Sequence, residues 1–217
     1  DARQNVLEVH FRTSHILNRA RELGGTITTY LASTFALALY RSARDKDKRK
    51  PLEVALSYPV DLRQHFPNLS ARNFFATLML RYTFLPDHEP SIEELTTHFT
   101  KQLKRASAKE NISKKVAKLV RFEKILLIRL VPLHIKDFVL RMINIVNNRS
   151  ITAALTNLAR FRMPEGVKDL VEEVQITTSA VRPQMSIISY EKDLCISFTS
   201  PLESSEVQDQ CLKVLIE

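Results

Sequence analysis

Glycine is nearly absent from this chain. Three glycines, Gly24, Gly25 and Gly166, serve 217 residues, where an ordinary domain uses about 7%. A loop that cradles phosphates needs several glycines close together, because tight turns and close backbone approach demand them. P-loop, dinucleotide-binding and kinase readings therefore fail. Hydrophobic residues make up 44% of the chain and charged residues 26%, so a core can form and wholesale disorder is excluded. The length suits one large domain or two small ones.

Cys195 and Cys211 are the two cysteines. They exclude a disulfide scaffold and a cysteine-rich zinc site, and they suit a reducing cytoplasm. Apolar runs such as Ile125 to Ile128 last a few residues, far short of the roughly 20 a membrane span needs. No transmembrane segment and no signal peptide is expected. The sequence opens DARQNVLEVH without an initiator Met, and it reads as a piece of a longer protein.

Residues 5–12 alternate apolar and polar, as a half-buried strand does. Thr13-Ser14 is placed to cap the helix that follows, and Gly24-Gly25 to stop it. Residues 26–44 predict a mostly buried helix, and 45–50 (DKDKRK) a charged surface turn. A strand is expected over 52–60, with Leu52, Val54, Leu56 and Tyr58 on one face. An irregular stretch and a strand over 73–85 follow. Ser91 and Glu94 form an S-x-x-E capping box, opening a helix that runs to about Ala108. Helix-rich sequence then continues to about Asn147, interrupted at Pro132. Residues 150–164, 173–181, 185–193 and 194–201 all read as strands, and a closing helix starts near Ser204. The expected class is α/β (α+β), a single domain over 1–217 with a mixed sheet covered by helices on one side.

The strongest purely physical signal is charge. Lys101, Lys104, Arg105, Lys109, Lys114, Lys115, Lys118, Arg121 and Lys124 face only Glu110 and Glu123, so residues 101–124 net +7 of the chain's +8. Lys114, Lys118 and Arg121 share one helical face. Such a face suits CoA phosphates, an acidic carrier protein, nucleic acid or an anionic membrane, or is simply solvated. Nucleic acid is not expected, because the aromatic interleaving of single-strand readers and any groove-reading motif are missing. Residues 125–140 are more apolar than a surface helix should be. They are expected in the core or at a lobe interface, with a membrane surface as the alternative.

Three segments carry a resemblance over nearly the whole chain: ITTYLASTFALALYR (27–41), YPVDLRQHFPNLSARNFFAT (58–77) and TNLARFRMP (156–164). In order and spacing they resemble the C-terminal half of the CoA-dependent acyltransferases with the chloramphenicol-acetyltransferase fold, which include alcohol acetyltransferases and condensation domains. The middle segment is similar to the family's "PVDLR … GNFF", and the last to its "SNLGR". Arg72 stands where the family has Gly before the Asn, and Ala159 replaces the Gly of the last motif.

The resemblance implies acyl transfer from CoA or a carrier-protein thioester to a hydroxyl or amine. The implied partners are an N-terminal lobe, acyl-CoA or an acyl carrier protein, and a small alcohol or amine. Acyl-CoA or a phosphopantetheine thioester would be a co-substrate, with no tightly bound cofactor and no metal. The family's catalytic motif is H-x-x-x-D, a general base and a structural Asp. None of His10, His15, His65, His88, His98 and His134 has Asp four residues later, and Asp137 follows His134 by only three. No catalytic residue is therefore expected in this chain, and by itself it should be inactive.

The same resemblance assigns supporting roles. Arg63, in the run with Asp61, would brace the His loop through a bidentate pair with the motif Asp of the other lobe. The alternative is an ion pair within this lobe, worth roughly 0–1 kcal/mol. Asn73 and Asn157 lie in apolar, strand-like settings where a buried amide needs partners. The resemblance puts both near the substrate tunnel, and a local backbone bond at a strand end is the alternative. His65 reads as a solvated loop residue, His134 as a core or interface residue, and the two cysteines as packing. A reading from another class also stands: a non-catalytic binding domain of this fold, docking an acidic partner through 101–124.

Overall fold

In the computed structural model, which describes residues 4–66, 73–86, 88–124 and 132–216, strand β1 (Asn5–Arg12) runs directly into helix α1 (Thr13–Glu22). The expected cap at Thr13-Ser14 is not formed. Arg12 stands at the cap position with no side-chain bond. The Thr13 amide donates to the Lys192 carbonyl at 2.8 Å, so tertiary structure satisfies one of the donors that the first helical turn leaves open. Gly24 does end the helix, at φ +67°. Gly25 bonds back to the Ala20 carbonyl, and a Cβ there would lie 2.5 Å from Thr96 Cγ2.

Helix α2 (Ile27–Arg41) is the centre of the fold. Twelve of its fifteen residues are buried, as an all-round apolar helix must be. Thr26 and Thr29 close a reciprocal capping box. The buried hydroxyls of Ser33 and Thr34 donate to the Thr29 and Tyr30 carbonyls, so their burial leaves no unpaired donor. The charged segment 45–50 holds a short helix, α3 (Asp45–Lys48).

Strands β2 (Leu52–Asp61) and β3 (Phe75–Phe84) form an antiparallel pair. The 3-10 turn Leu62–Gln64 follows β2. Helix α4 (Ile92–Ser107) begins at Ser91, whose hydroxyl accepts from the Glu94 amide. The Glu94 carboxylate accepts from the Tyr82 hydroxyl at 2.7 Å. Helices α5 (Lys109–Lys124) and α6 (Leu133–Arg149) follow. Strand β4 (Ala153–Phe161), the short helix α7 (Glu165–Lys168), strands β5 (Gln184–Tyr190) and β6 (Asp193–Ser200), and helix α8 (Glu206–Ile216) complete the described elements.

The six strands make one mixed sheet in the order β1-β6-β5-β4-β2-β3. The contacts β2/β4 and β4/β5 are parallel, the others antiparallel. Helices α2, α4 and α8 pack together over one face. Phe35, Leu56, Phe84, Phe99, Leu155 and Phe198 are fully buried between the layers. Tyr40 stacks on Phe84 with ring centroids 4.3 Å apart.

Residues 173–181 are not the strand that their alternation predicts. The segment runs antiparallel to β1 and is held through side chains. Gln4 brackets the Ala180 amide and carbonyl, Thr177 bonds Glu8, and the Glu173 carboxylate lies 3.9 Å from His10 Nε2. Gln4, Glu8 and His10 alternate with the core residues Leu7, Val9 and Phe11, so the segment covers the sheet face opposite the helices. Its period-2 pattern reflects that seat rather than a ladder.

Candidate functional site

Strands β2 and β4 run parallel but pair only at Leu56/Ala153 and Ser57/Ala154. Beyond that point they diverge, and a cleft of about 520 Å³ opens between their carboxyl ends. Crevices outside the carboxyl ends of parallel strands are where open α/β sheets bind ligands. Alternate residues supply the walls. Val54 and Leu56 of β2 enter the core, so Ser57, Pro59 and Asp61 face the cleft. Phe75 and Thr77 of β3, and Ala154, Thr156 and Leu158 of β4, face it by the same rule.

Asp61, Arg63, Asn73 and Asn157 all line this cleft. They come from the end of β2, the turn after it, the approach to β3 and the middle of β4. Asp61 caps the turn by accepting from the Arg63 amide at 2.9 Å. Arg63 Nη1 also donates to Asp61 Oδ1 at 3.3 Å, an ion pair within the chain between two exposed residues. Asn73 is exposed, so the expectation of a buried amide there is corrected: it lies just ahead of β3, beyond the strand's packed length. Arg72 lies outside the described residues.

Asn157 is half-buried, and both ends of its amide are bonded. Its Nδ2 donates to Thr28 Oγ1 at 2.9 Å, and its Oδ1 accepts from the Ala159 amide at 2.8 Å. Between Asn157 and Arg160 the β4/β5 register shifts. Ala159 sits in this bulge at φ +56°, a left-handed conformation that favours glycine. The Gly of the family motif falls at this position.

Motif reasoning missed Ser57, Thr77, Thr156 and Gln184, the other polar groups in the cleft. Their signal was available as the positions alternating with apolar core residues. Lys115 of α5 donates to the Thr77 carbonyl, which brings the basic helix to the rim. Lys114, Lys118 and Arg121 are exposed. The side chain of Lys124 lies outside the described residues.

Other candidates fall elsewhere. His65 follows the 3-10 turn and is absent from the cleft lining. His134 is exposed on α6, which excludes the core half of the expectation of a core or interface residue. Residues 125–131 lie outside the described residues. Residues 133–140 are exposed apart from half-buried Lys136, so that part of the apolar stretch is not core. Both cysteines are buried free thiols. Burial pushes Cys211 well above the usual thiol range and also raises Cys195, so both act as packing groups. Among the described residues no cluster of His, Cys, Asp and Glu could hold a metal ion, and no helix is long and apolar enough to cross a membrane.

The architecture is shared with several solved structures. Polyketide synthase associated protein 5 from Mycobacterium tuberculosis aligns over 98% of this chain and 50% of its own, at 16% identity and TM-score 0.59. The cyclization-docking bidomain of a nonribosomal peptide synthetase from Sorangium cellulosum aligns over 99% and 40%, at 14% identity and TM-score 0.57. A wax ester synthase/diacylglycerol acyltransferase from Marinobacter aquaeolei VT8 aligns over 98% and 48%, at 12% identity and TM-score 0.53. This chain has the chloramphenicol-acetyltransferase-like fold. It spans about half the length of those structures or less. No family model matches the sequence, and no curated protein sequence matches it significantly. Identities this low carry the likeness to the fold and no further.

Proposed function

We propose that residues 1–217 form the C-terminal lobe of a two-lobe acyltransferase, whose H-x-x-x-D motif is carried by a preceding lobe. The whole protein moves an acyl group from a CoA or carrier-protein thioester to a hydroxyl or amine. The observation that carries this reading is the convergence of Asp61, Arg63, Asn73 and Asn157 on one cleft at the carboxyl ends of parallel strands. In the reaction a His of the other lobe removes the acceptor's proton. The acceptor attacks the thioester carbonyl, and the oxyanion collapses to expel the thiolate. This lobe supplies one wall of the channel. Asn157 lines it, and Arg63 is a positioning residue for the loop that bears the His.

The names of the structural neighbours, a polyketide-associated protein, a peptide-synthetase bidomain and an acyltransferase, support a thioester donor and a carrier-protein partner. The two free thiols support a cytoplasmic location. In the full-length protein Arg63→Ala lowers turnover sharply, and wild-type turnover in that variant overturns the assignment.

The exposed face of Lys114, Lys118 and Arg121 favours a second reading, a non-catalytic domain that docks an acidic partner through α5. Reversal of all three to Glu then abolishes partner binding with folding intact, and surviving binding excludes it.

A further inference from the structure

Helix α6 is amphipathic but has no partner layer among the described elements. Ile135, Phe138, Val139, Met142, Ile143 and Ile145 are 41–64% exposed. At the α-helical repeat they fall within an arc of roughly 160°. A stripe this wide on a globular helix normally faces a core, yet this one faces outward.

The charges around the stripe say what it fits. Lys136 lies at one border, beside Ile143. Arg141 lies at the other, beside Ile145, and Arg149 closes the stripe at the C-terminal turn. Asp137, the helix's one acid, projects almost opposite the stripe's centre. Leu133 and Leu140 are the apolar residues on the polar side. Cations at the borders and an acid turned away match a flat anionic surface, where border side chains reach headgroups as the stripe enters the acyl boundary. In sequence the helix follows the stretch with nine bases and two acids over 101–124, which would add attraction to anionic lipid. The helix is too short and too charged to span a bilayer.

We propose that α6 is a membrane-surface helix, lying in the interface of an anionic bilayer with Ile135, Phe138, Val139 and Met142 inserted. This goes beyond acyl transfer and does not depend on it.

The test uses the full-length protein and lipid vesicles in flotation assays. Vesicles containing phosphatidylglycerol in phosphatidylcholine carry the protein up, and phosphatidylcholine alone does not. Rising salt weakens the association. Phe138→Asp with Met142→Asp abolishes flotation, with an unchanged circular dichroism spectrum because both side chains are exposed. Lys136→Glu with Arg141→Glu lowers partition roughly tenfold or more. The 217 residues contain no tryptophan, so Phe138→Trp adds a local probe, and its emission, read as a difference from the parent protein, shifts blue on vesicle addition. Flotation of the double-Asp variant at the wild-type level overturns the proposal and leaves the basic α5 as the lipid contact. Emission from Phe138→Trp that is already blue without vesicles also overturns it, because the stripe is then covered by protein. Self-association that the double-Asp variant removes, without vesicle binding, assigns the face to a second copy instead.

Discussion

Asn157 in the middle of β4 donates to the hydroxyl of Thr28 in the first turn of α2, at 2.9 Å and across 129 positions of sequence. The same side chain accepts from the Ala159 amide. One amide thus ties the bulge that lines the cleft to the helix that fills the core. The shape of the cleft is set from inside the fold.

Removal of that amide should be felt as stability before it is felt as chemistry. Asn157→Ala leaves the Thr28 hydroxyl and the Ala159 N–H without these partners, at a cost of about 1–3 kcal/mol. Adding Thr28→Val recovers part of the loss, because one orphaned group is removed. Urea unfolding of the two single variants and the double variant measures the coupling. Strict additivity would mean that the bond contributes nothing.

Ala159 holds a backbone conformation that suits glycine, at φ +56°. Ala159→Gly is expected to stabilise by about 0.5–1 kcal/mol, the left-handed penalty less the entropy glycine adds to the unfolded chain. A rise in Tm of the full chain checks it. A fall would mean that β4 adopts another backbone path here.

The two adjacent glycines should respond differently. A Cβ on Gly25 meets Thr96 Cγ2 at 2.5 Å and Thr29 Oγ1 at 2.8 Å, whereas nothing lies within 4 Å of one on Gly24. Gly25→Ala is expected to cost about 1–3 kcal/mol through overpacking. Gly24→Ala costs about 1–2 kcal/mol through its left-handed φ alone. Thr96→Ser, which removes the methyl, should relieve the first variant and leave the second unchanged. Equal response of both to Thr96→Ser would refute the steric account.

Tyr82 supplies a pH signature. Burial, and then its hydrogen bond to the Glu94 carboxylate, raises its pKa to about 12. An unfolded tyrosine titrates near 10. The neutral phenol's contribution to stability is therefore whole below about pH 10 and is lost as pH climbs through about 12. Glu94→Gln should move the Tyr82 ionisation downward. Phenolate absorbance of the wild type, Glu94→Gln and Tyr82→Phe proteins isolates it, and identical curves for the first two would contradict the assignment.

Periodicity made much of the fold legible. The alternation in 5–12 and 52–60 and the helical spacing of apolar residues in α2 each correspond to a matching element, because local burial imposes its period on the sequence. Residues 173–181 carry the same period without a ladder. Their alternation records contact with the sheet face over β1, which periodicity cannot tell from strand pairing. Thr13 looks like a cap in sequence, but its amide is served by Lys192, some 180 residues away.

The candidate site divides along the same line. Motif order singled out Asp61, Arg63, Asn73 and Asn157, since residue type and spacing are written along the chain. Their meeting in one cleft depends on β2 and β4 pairing over two positions and then splaying. That contact joins segments about 97 residues apart, and no local pattern encodes it. The apolar surplus of 125–140 was also plain in the sequence, and its residues 133–140 fall on α6. Whether a stripe faces a core or water depends on which layers pack over it, and only the tertiary structure decided that α6 faces outward.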